Sequence, residues 1–170
     1  MSVGGSATAH GLQAHAEYFV PAFSGYLSQI QVGTKLLGGG DALSDFSIAQ
    51  DNGSGIPGTV LESFSNVTNP NGLLTLNSVT APLLQAGQKY WLCDEPANAN
   101  SYVGWYPNNQ GITNSSAIQS PPGIWQAWPP SGANPVFSIS VVPVPEPATV
   151  GLVFLGVGLV GVRRWSQARI

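Results

Sequence analysis

Val136-Phe137-Ser138-Ile139-Ser140-Val141-Val142 decides the fold: Phe137, Ile139 and Val141 alternate with Ser138 and Ser140. A period of two puts one set of side chains on each face of an extended strand, one greasy and one wet. The same period recurs upstream. Ile30, Val32 and Thr34 alternate with Gln29, Gln31 and Lys35, and Phe46 and Ile48 alternate with Asp45, Ser47 and Gln50. Val60–Phe64, Leu73–Val79 and Lys89–Asp94 are further strand candidates. Turn formers separate them: Gly38-Gly39-Gly40-Asp41, Asp51-Asn52-Gly53-Ser54-Gly55, Asn69-Pro70-Asn71-Gly72 and Asn108-Asn109-Gln110-Gly111. No stretch before residue 148 keeps a helical period over three turns. Short strands at this spacing predict an all-β domain over residues 17–142, an antiparallel β-sandwich or jelly roll.

Charge narrows the function. Before residue 146 the cations are Lys35 and Lys89, against seven carboxylates, a net charge of −5. Nucleic acid is not an expected partner, because phosphate binding needs a basic patch. Cys93 is the single cysteine, so no disulfide forms within the chain, and it reads as a small buried hydrophobe.

The C-terminus has a different character. Ala148–Val162 carries no charge over 15 residues, and Arg163-Arg164-Trp165 follows it. As a helix this stretch rises roughly 22 Å, against about 30 Å of hydrocarbon in a bilayer. Snorkelling arginines and Trp165 at the headgroup level narrow the difference. The competing reading is a buried C-terminal helix, but a segment apolar around its whole circumference has no solvated face. Residues 148–162 are therefore expected to form a single transmembrane helix in contact with lipid. Residues 163–170 would be its basic cytoplasmic tail, which places the domain across the membrane. Pro143–Pro147 cannot continue a sheet and reads as a proline-rich linker.

Val144-Pro145-Glu146-Pro147-Ala148, the apolar stretch and Arg163-Arg164 resemble the PEP-CTERM sorting signal of Gram-negative bacteria. The resemblance implies that Pro145, Glu146 and Pro147 are a recognition motif and that Arg163 and Arg164 are a topological stop. It implies an exosortase-type membrane enzyme as partner, cutting near the motif and passing the protein to the cell surface or outside. The family tends to occur where exopolysaccharide and biofilm matrix are made.

Such tails accompany an export signal, with a basic region, an apolar region and a small-residue cleavage site. Residues 1–16, MSVGGSATAHGLQAHA, hold no Lys or Arg and no continuous apolar run, although Ala14-His15-Ala16 has the A-x-A form. Two explanations stand: the remnant of a longer signal peptide behind a start assigned too late, or a disordered leader. The first is the expectation. His10 and His15, five apart with no cysteine or carboxylate cluster, are a weak metal signal, and no metal or other cofactor is expected.

A second resemblance lies in residues 17–142. Phe19-Val20-Pro21-Ala22-Phe23-Ser24-Gly25, the Asp51–Gly58 segment leading into Leu61-Glu62-Ser63, Leu83–Trp91 and Gly104-Trp105 look like the bacterial choice-of-anchor β-sandwich domains. The resemblance is one of strands and turns and implies no activity.

Candidate chemistry is sparse. Tyr90, Trp91, Tyr102, Trp105, Tyr106, Trp125 and Trp128 crowd into residues 90–128. Exposed aromatic rings can stack on sugars, so Trp125, Trp128, Trp105 and Tyr106 are candidates for glycan binding, the ligand being secreted exopolysaccharide. Trp91 and Trp105 read equally as core residues, as strand aromatics usually are. Trp125 and Trp128, in the proline-rich stretch PPGIWQAWPP, read as the more exposed. Asp51–Gly55 has the composition of a turn rather than of a calcium loop. Asp94-Glu95 cannot straddle one glycosidic bond within a strand, because neighbours point to opposite faces. With two histidines, both near the N-terminus, no Ser/His/Asp arrangement can be assembled. The chain is expected not to be an enzyme.

Overall fold

A computed structural model of the 170-residue chain describes residues 8–10, 13–110, 115–120, 123–129 and 134–144. These residues are all-β, with twelve strands in chain order: β1 Thr8–His10, β2 Ala14–Phe19, β3 Gly25–Leu36, β4 Leu43–Asp51, β5 Pro57–Thr68, β6 Gly72–Asn77, β7 Leu83–Leu84, β8 Tyr90–Pro96, β9 Tyr102–Trp105, β10 Ser116–Ser120, β11 Ile124–Trp128 and β12 Phe137–Pro143.

Two antiparallel sheets result. Sheet B runs β11-β10-β2-β8-β4-β5. Sheet A is organised around the long strand β3. Gln29–Val32 pairs with β12 and also with β6, so these two strands occupy opposite edges of β3. The same logic puts β9 beyond β12 on one edge, and β7 beside β6 on the other. β1 extends sheet A past β9.

The alternation that predicts β3, β4, β6 and β12 fills the space between the sheets. Leu27, Ile30, Val32, Leu74, Leu76, Leu84 and Trp105 of sheet A meet Phe46, Ile48, Tyr90 and Leu92 of sheet B. Phe137, Ile139 and Val141 pack against this core from β12, with Ser138 and Ser140 exposed. Burying eleven such side chains is the main stabilising term, at about 1.5–3 kcal/mol for each large apolar group.

β8 departs from simple alternation: Tyr90 to Asp94 are all buried. Its second face is covered as well. On the outer side of sheet B, Ala16, Ala49, Trp91, Cys93 and Ala117 form a smaller apolar cluster, packed against by Tyr18, Ile56 and Trp125.

Of residues 1–16, read above as a leader, the described ones, 8–10 and 13–16, include strand residues of the domain. β1 pairs with β9 inside sheet A, and β2 begins at Ala14 inside sheet B. Ala14 and Ala16 are fully buried. The A-x-A pattern has a packing cause: Ala16 lies opposite both Cys93 and Ala117, beneath the large rings of the outer cluster, where only a small side chain fits. The expected transmembrane helix at 148–162 and the tail at 163–170 lie outside the described residues. Among the described residues no helix is long and apolar enough to cross a membrane.

Candidate functional site

The domain hands over to its C-terminal segment at one well-defined place. β12 pairs with β3 from Phe137↔Val32 to Pro143↔Gly25, with one bulge between Ser140 and Val141. Past the strand, the Val144 amide donates to the Ser24 carbonyl at 3.1 Å. Ser24 is itself fixed, because its hydroxyl accepts from the Ala86 amide at 3.0 Å. Gly25 makes this closeness possible: a Cβ there would sit 2.6 Å from the Val142 carbonyl oxygen. Backbone bonds to the central strand of sheet A thus hold the chain up to Val144. Pro145, Glu146, Pro147, Arg163 and Arg164 lie outside the described residues.

The aromatic candidates do not assemble. Trp105 is 1% exposed, and its indole N–H donates to the Asp94 carboxylate at 2.6 Å. It stacks on Phe46 and meets Phe137 edge-on. Its place is the core, because Val103 and Trp105 share the inward face of β9 while Tyr106 turns outward. Trp125 and Trp128 belong to strand β11, paired with β10, rather than to a loop. Three positions apart on a strand, they project to opposite faces. Trp125 joins the outer cluster of sheet B, and Trp128 is partly exposed. Tyr106 is exposed on the outer face of sheet A.

The sequence reading missed a polar cluster between the sheets. His15 and Glu17 sit two apart on β2 and share its inner face, with His15 opposite Asp94 on β8. All three are buried. His15 Nε2 lies 3.4 Å from Glu17 Oε1, and the His15 ring is 5.9 Å from the Trp105 ring. Burial lowers the His15 imidazole to about 4 and raises the Glu17 carboxyl to about 8. Near neutral pH this is therefore a neutral contact, not an ion pair. Burial also raises Asp94 to about 7, against the hydrogen bonds of Ser44 and Trp105, which favour the carboxylate. His15 Nδ1, Glu17 Oε2 and Asp94 Oδ1 find no partner among the described residues. A signal existed in the sequence: Ala14–Phe19 carries polar groups at alternate positions, and alanines between them mark the second buried face.

Other polar groups are already committed. Trp91 donates to Asp51 at 2.8 Å, and the Gly53 amide donates to the same carboxylate at 2.9 Å, so the Asp51 loop is an Asx-type turn. An open depression of about 350 Å³ beside it is lined by Gln50, Gln85, Gln88 and Lys89, with the Lys89 ammonium 4.7 Å above the Tyr18 ring. Burial pushes the Cys93 thiol up to about 12, which leaves no thiolate for nucleophilic chemistry at neutral pH. Glu95 lies opposite Asp45 across β8 and β4, and burial together with that neighbour raises its carboxyl. Asp45 in turn accepts from the Asn66 amide at 2.6 Å. Among the described residues no group of three His, Cys, Asp or Glu side chains is placed to hold a metal ion.

Against this geometry, one family model matches: PEP-CTERM protein-sorting motif, over residues 143–167. The chain carries a PEP-CTERM sorting motif. The match opens on Pro143, the last residue of β12, so the boundary between domain and motif coincides with the end of the sheet. No curated protein and no solved structure matches the chain. The motif implies an exported protein processed by exosortase, a membrane enzyme.

Proposed function

We propose that this protein is a non-enzymatic cargo of the exosortase pathway, whose β-sandwich is delivered to the cell surface or extracellular matrix. Residues 148–162 hold it in the inner membrane as a helix, with Arg163 and Arg164 on the cytoplasmic side. The processing enzyme recognises Pro145-Glu146-Pro147 and cuts near it. One observation carries the reading: the sorting motif starts where β12 ends, so cleavage just beyond Val144 would release a domain with every strand in place. The non-enzymatic part is supported by the commitment of Asp94 to Trp105 and of Asp51 to Trp91.

The test is a chain lacking residues 144–170. It is expected to stay folded and soluble and to lose membrane retention and sorting. Unchanged membrane association of the truncated chain overturns the sorting reading. Polysaccharide hydrolysis abolished in Glu95→Gln or Asp45→Asn overturns the non-enzymatic one.

A second reading is carbohydrate binding, with exopolysaccharide as ligand. It does not rest on Trp105 or on a Trp125–Trp128 pair. The observation in its favour is Tyr106, exposed on the outer face of sheet A.

A further inference from the structure

We propose that the outer face of sheet A is a binding platform for an uncharged polysaccharide chain, which rests on the second reading above and gives it a site.

Cross-strand register lays this face out in rows. Asn77, Gln29 and Ser140 make one row, and Thr75, Gln31 and Ser138 the next. Gln29 donates to the Asn77 side chain at 3.0 Å, and Ser138 donates to Gln31 at 3.5 Å, so each glutamine amide has a partner on the neighbouring strand. Thr75, Asn77, Ser138 and Ser140 are exposed. Along β3, a tyrosine flanks this pair of rows on each side. On one side Tyr26, 49% exposed, lies between Leu83 and Val142. On the other, Tyr106, 41% exposed, lies against Gly33: a Cβ on that glycine would be 3.5 Å from Tyr106 Cβ and 3.7 Å from its Cδ2. Gly33 to Tyr26 is seven positions of strand, roughly 20 Å, enough for several sugar rings.

Charge singles out the occupant. Of the seven carboxylates before residue 146, six lie on sheet B strands, namely Glu17, Asp45, Asp51, Glu62, Asp94 and Glu95. The seventh, Asp41, is in the turn after β3. β3, β6, β7, β9 and β12 contain no acid, and Lys35 is their one cation. One cation cannot hold a polyanion or nucleic acid, whose binding scales with the phosphates or carboxylates neutralised. A protein partner would have to desolvate two rows of amides and hydroxyls between two separate apolar ends, which costs more than it returns unless every group is re-paired. A sugar chain offers both halves of the match. Its hydroxyls exchange hydrogen bonds with the amide rows, and its C–H faces lie on tyrosine rings, which present a large apolar surface and a polar tip.

The experiment is affinity electrophoresis of the full chain in mild detergent through gels containing dextran, mixed-linkage β-glucan, galactomannan or the polyanion alginate. Retardation by at least one of the three neutral polymers is expected. It should fall at least fivefold in Tyr106→Ala and in Gln31→Ala, and hold in Ser63→Ala on sheet B. Gln31→Ala removes an amide from a surface row, so it tests the site even if Tyr106→Ala disturbs folding. Near-UV circular dichroism checks each variant. Migration unchanged in all three neutral polymers, retardation by alginate alone, binding that survives both variants, or a concentration-dependent dimer that protects these residues would each overturn the proposal. Glu146→Ala is expected to impair sorting and leave the retardation unchanged, which separates this site from the sorting reading.

Discussion

The Trp105 indole N–H donates to Asp94 at 2.6 Å, joining β9 of one sheet to β8 of the other through the middle of the domain. It is a polar bond in an apolar core, so each partner depends on the other for the cost of its burial. Trp105→Phe keeps most of the packing and leaves the Asp94 carboxyl without its indole donor. A loss of about 2–3 kcal/mol is expected in denaturant unfolding at pH 7. Asp94→Asn keeps an acceptor for Trp105 without a charge, so it should cost far less at pH 8 than Trp105→Phe does.

Stability should rise as pH falls from 8 to 5, the reverse of ordinary acid denaturation. Glu17 and Asp94 have folded values of about 8 and about 7, raised above their unfolded ones by burial. A raised group stabilises fully below its unfolded value and loses that contribution as pH climbs through the folded one. His15, lowered to about 4 by burial, works the other way, because the unfolded chain takes its proton near 6.5. Two carboxyls outweigh one imidazole, and a net gain of a few kcal/mol is expected over that window. Urea midpoints measured at pH 5, 6.5 and 8 check the direction. In Glu17→Gln the slope should flatten.

Glu62 pins a turn. Its carboxylate accepts from the Val79 amide at 2.6 Å, the Thr80 amide at 3.0 Å and the Ser78 hydroxyl at 2.6 Å. Burial would raise this carboxyl, but those hydrogen bonds outweigh it and the net shift is downward. Glu62→Ala leaves two amides without their acceptor, so a loss of about 2–4 kcal/mol is expected. Glu62→Gln should recover part of it. Thermal melts of the three proteins give the ranking.

Gly25→Val is expected to loosen the root of the sorting segment. Its Cβ would strike the Val142 carbonyl, so the end of β12 must move away from β3. A loss of about 1–3 kcal/mol follows from overpacking. Limited proteolysis should show faster cutting near residues 141–144, with hydrogen exchange in β4 and β8 much less affected.

The sequence made some of this legible and hid the rest for identifiable reasons. β3, β4, β6 and β12 announce themselves because one face is wet and the other dry. β8 is covered on both sides, so its run of buried residues carries no period. β2 resisted for a different reason: alanines and two ionisable groups look like a polar leader until Trp91 and Trp125 are seen packing over one face. Parity separates three of the glycan candidates and leaves Tyr106 on the outer face of sheet A. Val103 and Trp105 face inward together, and Trp125 and Trp128 could never share a face. The hairpin of β10 and β11 was concealed by flanking prolines that suggested a loop. The sorting motif needed no tertiary context at all, since its meaning lies in a short word, a greasy run and two arginines.

β12 has one more implication. Among the described residues it is the last strand, yet its partner β3 begins at residue 25, so sheet A stays incomplete until residue 143 is free to pair. Contacts so distant in sequence form slowly and late. In a chain threaded through a translocation channel, sheet A could thus close only when the sorting word itself was next to emerge. Maturation and cutting would then be neighbouring events in time, because they are neighbours along the polypeptide.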